Sequence, residues 1–373
     1  MDLELDEDQQ ALAGAVRSVL RSAWPPTALR AQIESGTGAD ELWSEMVSLD
    51  WPALCIDERF GGLGFGPIEA MLVHEGCGAV AAPGPLFATA ALFAPVVSAL
   101  ATAEQAERWL PDVAAGRKTG TAALGELRCG AGGPSIEAVR TSDGWRLDGT
   151  MHSVIEGNEV DHLLVIADAE GAVQPFVIGT DEVTTTVVRS VDATRGLATM
   201  ACDGLVVGDD AVLGAVGDQS SAEKVQQAVD HGVTCLAADL VGTCATILDL
   251  TLDHAREREQ FGVKIGSFQS LKHRLADAFI ELEAARASVR VASMALAEDD
   301  PRGAVAASSA MALAGDGAQR ITREGIQVLG GIGFTWEHDM HLYVKRAMSS
   351  SVLLGTAEYH RQRVADLLGL VSA

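Results

Sequence analysis

Hydrophobic period changes twice along this chain, and that change limits the folds open to it. Up to about residue 118, apolar residues recur every three or four positions, as at Leu12, Val16, Val19 and Leu20 and over 41–49, 88–100 and 103–110. That spacing builds amphipathic helices. Proline at Pro67, just after the Gly61-Gly62-Leu63-Gly64 turn, suits the first turn of a further helix over 67–73. From about 119 to 218 the period falls to two. Segments 137–140 and 145–148 flank a turn at Asp143-Gly144, and 162–167 and 173–178 flank one around Gly171. Two hairpins are expected there, with further strands over 183–191 and 205–207. At Ser220-Ser221-Ala222-Glu223 a capping box opens a long helix running to about Arg256. A second helix is marked by Phe268, Leu271, Leu275, Phe279, Leu282, Ala285 and Val289, a third spans 304–329, and shorter ones follow His338 and Thr356. With 373 residues the chain needs more than one core. The pattern predicts an α+β fold with an N-terminal helical domain over 1–118, a middle β-domain over 119–218 and a C-terminal helical bundle over 219–373.

Charge and composition narrow the function. Lys+Arg 27 against Asp+Glu 52 gives a formal charge of −25, which opposes non-specific binding of nucleic acid or anionic lipid. Any anionic substrate needs locally placed arginines against that field. Among the apolar stretches there is no run of about 18 residues, so no membrane span is expected. The start, Met1-Asp2-Leu3-Glu4-Leu5-Asp6, is acidic and unlike a secretory signal. Six scattered cysteines without a Cys-x-x-Cys pair fit buried thiols in a reducing cytoplasm, so a cytoplasmic location is expected.

Four motifs carry the chemistry: Arg256-Glu257-Arg258-Glu259-Gln260-Phe261-Gly262, Gln327-Val328-Leu329-Gly330-Gly331-Ile332-Gly333-Phe334, Arg59-Phe60-Gly61-Gly62-Leu63-Gly64 and Leu353-Leu354-Gly355-Thr356. Taken alone, the first is a solvated helix end with arginines that suit the macrodipole. Taken together at this spacing, the four resemble the acyl-CoA dehydrogenase family over nearly the whole chain. The resemblance implies a helical domain, a β-domain and a bundle through which tetramers assemble, with FAD as cofactor. It also implies that Arg258, Gln260, Phe261, Ile265, Phe268, Gln327, Gly330 and Gly331 are cofactor-binding. Arg258 would grip the pyrophosphate of a neighbouring subunit's flavin, a task suited to a permanently charged, forked guanidinium. Gln327 and the glycine pair would let the backbone approach the adenine side.

Elsewhere the chain departs from the family pattern. In place of the Thr-Glu-Pro loop it has Ala122-Ala123-Leu124-Gly125-Glu126, running on to Gly132-Gly133-Pro134. Where the family sets Trp-Ile-Thr-Asn-Gly against the flavin ring, it has Ser153-Val154-Ile155-Glu156-Gly157, which neither covers the ring nor bonds its edge, and Glu156 is expected to add charge there. Proton abstraction α to a thioester needs a carboxylate in an apolar cleft. The family's two base positions map to Leu354 and Gly232, so no catalytic residue is expected. Asp230 and Glu358 stand near those positions and are the acids left to consider. Both His338 and His341 could share a metal at i, i+3, but with no third ligand nearby none is expected. The Gly61–Gly64 run lacks the lysine of a P-loop and reads as a tight turn.

The resemblance therefore implies a subunit of a heteromeric FAD-dependent acyl-CoA dehydrogenase, catalysing α,β-desaturation of an acyl-CoA, with a steroid side-chain thioester an attractive substrate. This subunit would lack the catalytic glutamate and complete the FAD site of a homologous catalytic partner in an α2β2 heterotetramer, the partner binding most of the acyl-CoA. Two alternatives stay open: an active homotetramer with a displaced base, and a non-enzymatic scaffold or acyl-CoA binder.

Overall fold

The computed structural model describes residues 4–124 and 134–370. The loop expected through Gly125, Glu126, Gly132 and Gly133 lies outside the described residues, as does Cys129. Helices come first: α1 (Glu7–Ala23), α2 (Pro26–Ser35), α3 (Ala39–Ser48), α4 (Pro67–Ala79), α5 (Ala94–Leu100), entered through π-helical turns over Phe87–Phe93, and α6 (Ala103–Ala114). Then come β1 (Gly120–Ala123), β2 (Ile136–Thr141), β3 (Gly144–Ile155), β4 (His162–Ala169), β5 (Ala172–Gly179), β6 (Thr184–Val187) and β7 (Leu197–Val207). The C-terminal part is α7 (Ser221–Glu257), a small hairpin of β8 (Glu259–Gln260) and β9 (Val263–Lys264), α8 (Gln269–Ala297), α9 (Gly303–Leu329), α10 (Met340–Leu353) and α11 (Ala357–Leu367). The fold is α+β, with helical, β-sheet and helical parts in that order.

Two compact units result, one of Met1–Gly36, Met71–Ala82 and Val233–Ala373, the other of Thr37–Ala70 and Pro83–Gly232. In the second, the strands form one mixed sheet in the order β1-β4-β2-β3-β7-β6, with β5 also on β4. Both expected hairpins form, β2 with β3 and β4 with β5. The 205–207 strand proves to be the end of an eleven-residue β7 paired along β3. Ala198, Met200 and Cys202 of β7 face the core with Leu147, Met151, Leu163 and Phe176. Small residues in Ala198-Thr199-Met200-Ala201 blur the period-two signal, so the strand's first half is hard to read. At the glycine turn the tight-turn reading holds: a Cβ on Gly62 would lie 1.9 Å from the Ile56 carbonyl oxygen.

In the helical unit, α1 starts from a reciprocal cap. Gln9 donates its amide to Asp6 Oδ1 (2.8 Å) and accepts the Asp6 amide on its own side chain (3.2 Å). Ala13, Val16 and Leu20 then make its buried face. By length and apolarity α7 could cross a membrane, but 78% of its most apolar stretch is buried, as in a core helix. It touches α4 backbone to backbone. A Cβ at Gly78 would fall 1.8 Å from the Asp239 carbonyl oxygen, and one at Gly242 would fall 1.9 Å from that of Glu75. Thr243 and Thr246 donate their hydroxyls to the carbonyls of Gly78 (3.0 Å) and Ala79 (2.6 Å). Asp239 also accepts a fork from Arg346 on α10, at 2.7 and 3.2 Å, with both side chains buried.

Removing one partner of such a buried pair strands the other charge, which costs about 3–5 kcal/mol, whereas replacing both with apolar groups is close to neutral. Arg346→Met should therefore lower the urea midpoint of the helical transition sharply. Asp239→Leu combined with Arg346→Met should recover most of the loss. Equal destabilisation in the single and double variants would show that the pair contributes packing alone.

Candidate functional site

At the end of α7 the chain reverses within a two-residue turn. Phe261 (φ 54°) and Gly262 (φ 78°) both take the left-handed conformation, as a tight hairpin between β8 and β9 requires. The Ile265 amide donates to the Arg258 carbonyl (2.8 Å), and the Lys264 ammonium donates to the Glu257 carbonyl (3.0 Å) and pairs with Glu259 (2.8 Å). Gly266 lets the returning strand close onto α7, because a Cβ there would sit 2.9 Å from the Ala255 carbonyl oxygen. The hairpin thus gathers five of the expected cofactor residues. Arg258, Gln260, Phe261 and Phe268 are exposed and Ile265 is half-buried. Phe261 and Phe268 meet edge to face at 6.3 Å, and Phe261 remains 93% exposed. Gln260 turns its amide onto the Glu259 carbonyl (2.7 Å).

The other three lie at the end of α9. Gln327 is exposed on the last turn, and Gly330 caps it at φ 66°, ψ −140°, a conformation strained for any side chain. At Gly330 and Gly331 a Cβ would meet nothing within 4 Å, so this backbone is open to a neighbour. Arg274 on α8 pairs with Glu324 on α9 (2.5 Å), one turn before Gln327, and holds the start of one helix to the end of the other. Burial first, then the charges of His338 and Arg258, push the His254 imidazole below its ordinary value.

The two positions where the resemblance places a base, Leu354 and Gly232, leave little room for one. Leu354, at the end of α10, is 2% exposed. Beneath it lies His360, which the sequence reading missed. Its Nε2 lies 2.9 Å from the Leu354 carbonyl oxygen and donates to it, while Nδ1 is buried without a partner. Burial pushes this imidazole down to about 4. Gly232 lies inside α7, where a Cβ would meet Leu92 Cδ2 at 2.6 Å and the Ala91 carbonyl oxygen at 2.9 Å. The π-helical turns over Phe87–Phe93 therefore fill the space a side chain at 232 would use. Asp230 is buried and accepts from the Gln226 amide (3.3 Å); Glu358 is exposed in the first turn of α11.

In the β unit, Ser153 (φ 53°) sits in a bulge between Met151 and Val154, and the Val154 and Ile155 side chains are buried in the sheet. Glu156 corrects an expectation. The residue is 3% exposed and its carboxylate accepts the Gly196 amide (3.0 Å), so it braces a loop and is not left free to charge a ring site. Tested against a flavin, the C-terminal residues fit, with an exposed guanidinium, an exposed ring and an open glycine backbone. The 153–157 stretch does not. Of the two histidines, His338 Nδ1 accepts the Met340 amide (3.0 Å) and His341 packs its ring on Trp336 (4.7 Å), each in a structural contact.

Fold and site together define the class: the chain belongs to the acyl-CoA dehydrogenase family. The acyl-CoA dehydrogenase N-terminal domain matches residues 6–117 and the C-terminal domain residues 222–369. The chain is 31% identical to acyl-CoA dehydrogenase IpdE2 of Mycolicibacterium smegmatis, over 96% of this chain and 98% of that protein. Among solved structures, it is similar to the ChsE4–ChsE5 complex of Mycobacterium tuberculosis (26% identity, TM-score 0.90, all of both chains). It is also similar to a variant of the Tcur3481–Tcur3483 steroid ACAD (29% identity, TM-score 0.84, 98% of each chain).

A non-glycine residue in the left-handed region costs about 1 kcal/mol or more, and asparagine tolerates it better. Phe261→Asn should leave the isolated chain as stable or slightly more so, by up to about 1 kcal/mol on that account. A large loss of stability in urea would mean that the ring is needed by its own subunit. A second expectation concerns His360. Its folded value of about 4 lies below the ordinary 6.5, so the neutral ring favours the fold. That contribution is complete above about pH 6.5 and is lost as pH falls towards 4, at about 1.4 kcal/mol per pH unit. His360→Gln should flatten the stability profile between pH 6.5 and 4. An unchanged slope would place the acid sensitivity elsewhere.

Proposed function

We propose that this chain is the non-catalytic subunit of a heteromeric, FAD-dependent acyl-CoA dehydrogenase and completes the flavin site of a catalytic partner with the same fold. One observation carries the reading: both family base positions are closed, Leu354 by an apolar buried side chain and Gly232 by the Leu92 side chain and the Ala91 carbonyl of the neighbouring π-helical turn. The residues that would serve a neighbour remain outward, above all Arg258 and the 93% exposed Phe261. The similar ChsE4–ChsE5 structure is a complex of two named proteins, which supports a heteromer. The similarity to acyl-CoA dehydrogenase IpdE2 supports an acyl-CoA substrate and that to the steroid ACAD supports a steroid thioester, for which a side-chain thioester is our first choice.

In this reading the reaction is α,β-desaturation. FAD, when bound, supplies the hydride acceptor, and the partner supplies the carboxylate that takes the α-proton. The present chain contributes binding and orientation. Arg258 offers a forked cation for pyrophosphate oxygens, worth more than a point charge because two parallel N–H bonds fix the direction of approach. Gly330 and Gly331 leave room for close backbone approach, and Phe261 and Phe268 wall the site from water. An α2β2 assembly in the cytoplasm is the expected setting.

The test is flavin content and desaturation in the co-purified complex. Alone, the chain should carry little or no FAD and show no turnover, and Leu354→Glu should not create any. In the complex, losing a charge-assisted contact costs about 1.5–3 kcal/mol, roughly a tenfold to hundredfold loss of flavin affinity. Arg258→Ala should release flavin with the subunits still associated, and Arg258→Lys should rescue only in part. A lone chain that purifies yellow and turns over, with activity abolished at Glu358 or Asp230, would establish the active homotetramer instead. An Arg258→Ala complex with full flavin and activity would favour the scaffold.

A further inference from the structure

Away from the flavin-facing hairpin, the helical unit holds a cavity of about 570 Å³. Arg17 and Arg21, one turn apart on α1, line one wall, and Arg286 and Arg290, one turn apart on α8, line another. Like charges four residues apart on a helix repel. This chain has about half as many basic as acidic residues, yet it sets two such pairs around a single space. Arg286 is neutralised, since it bonds Glu75 (2.9 Å) and also pairs with Glu283. Arg17, Arg21 and Arg290 have no ion-pair partner among the described residues, and they face Asp249 as the remaining carboxylate of the lining. Two buried donors around the cavity are also unsatisfied, Trp24 Nε1 and Arg290 Nε. Buried polar groups left unpaired are costly and uncommon, and each asks for a reason. Leu20, Leu72 and Val80 supply apolar lining beside these cations.

We propose that this cavity binds an amphiphilic organic anion. Its carboxylate or phosphate head would accept from Arg17, Arg21 and Arg290, and its apolar part would lie on Leu20, Leu72 and Val80. The volume falls within the range of about 300–1,000 Å³ usual for small-molecule sites. Guanidinium forks suit either head group, since both present oxygens in a bidentate arrangement. The site is independent of the flavin reading, because none of its residues belongs to the flavin-facing hairpin or to the closed base positions.

Isothermal titration of the full chain tests it with four probes below their micellar concentrations: octanoate, octyl phosphate, octanol and inorganic phosphate. The expected result is saturable binding of octanoate or octyl phosphate at one per chain. The tighter of the two names the head group, and octanol and inorganic phosphate should bind at least tenfold more weakly. Arg17 and Arg21 are exposed on α1, so Arg17→Gln with Arg21→Gln should keep the far-ultraviolet helical signal and weaken anion binding at least tenfold. Arg290→Gln should do the same from the opposite wall. Failure of both anions to saturate would overturn the proposal, as would octanol binding as tightly as they do. So would wild-type affinity in the Arg17/Arg21 double variant.

Discussion

The order of the helical unit depends on the point where α4 and α7 meet without side chains between them. Gly78 lies on the Asp239 carbonyl and Gly242 on the Glu75 carbonyl, and at either place a methyl group would have to displace backbone. Two threonine hydroxyls lock the crossing by donating to the last carbonyls of α4, where helical partners run out. Asp239 then passes the position on. Its backbone lies under Gly78, and its carboxylate holds Arg346 of α10, which leads directly into Leu354 and Gly355. A buried ion pair contributes little net stability against an apolar substitute. Its value here is registration, since the fork admits one rotation of α10 against α7. Gly325 adds a fourth helix, α9: a Cβ there would press on Ile247, Thr251 and Met340 at 3.0 to 3.3 Å. The turn that carries Leu354 is thus fixed from several sides, and His360 ties its carbonyl from below.

Against that fixed frame, the strained and open parts stand out. Phe261 holds a left-handed backbone that the β8–β9 turn requires, and among the described residues its ring, left in water, has an edge contact with Phe268. The turn accounts for the backbone, and the exposed ring is the part left open. The opposite holds at Gly232, where a close approach to Ala91 and Leu92 leaves no room for a side chain. At one end of α7 the side chains of the hairpin stay exposed, while Gly232, nearer the start of the same helix, is closely covered. That asymmetry supports the proposed reading of a chain that serves a partner's site.

The sequence made the layout readable because helices and strands here keep clean periods. Helix α9 was expected over 304–329 and spans Gly303–Leu329, and the two hairpins fell where Asp143-Gly144 and Gly171 turn the chain. Less was readable where an outcome depended on a distant neighbour. Nothing local to Gly232 announces that Ala91 and Leu92 abut it, although a glycine inside a long helix is a hint of close approach. Glu156 read as a charge beside the flavin ring because the Gly196 amide that takes it up is 40 residues away. His360 was passed over because its partner is a backbone carbonyl, which no residue pattern encodes. The β8–β9 hairpin was missed for a different reason: two-residue strands carry no period, and Phe261-Gly262 is a poor match to the Asn-Gly and Asp-Gly pairs that mark such turns.

Charge supplies the last step. A formal −25 sets up a field that repels any anion at long range, yet the motifs that suggest ligands are cationic. The two are compatible because screening separates them in distance. At physiological salt the Debye length is about 8 Å, so the summed field of scattered carboxylates fades while a guanidinium in direct contact with an oxygen is little screened. An acidic chain can therefore reject polyanions and membranes in general and still hold one phosphate where arginines are left without carboxylates. Arg346 fails that condition because Asp239 consumes it, and Arg286 fails it because of Glu75 and Glu283. Arg258 meets it at the hairpin, and Arg17, Arg21 and Arg290 meet it around the cavity. In a chain this acidic, the informative arginines are those without an ion pair among the described residues.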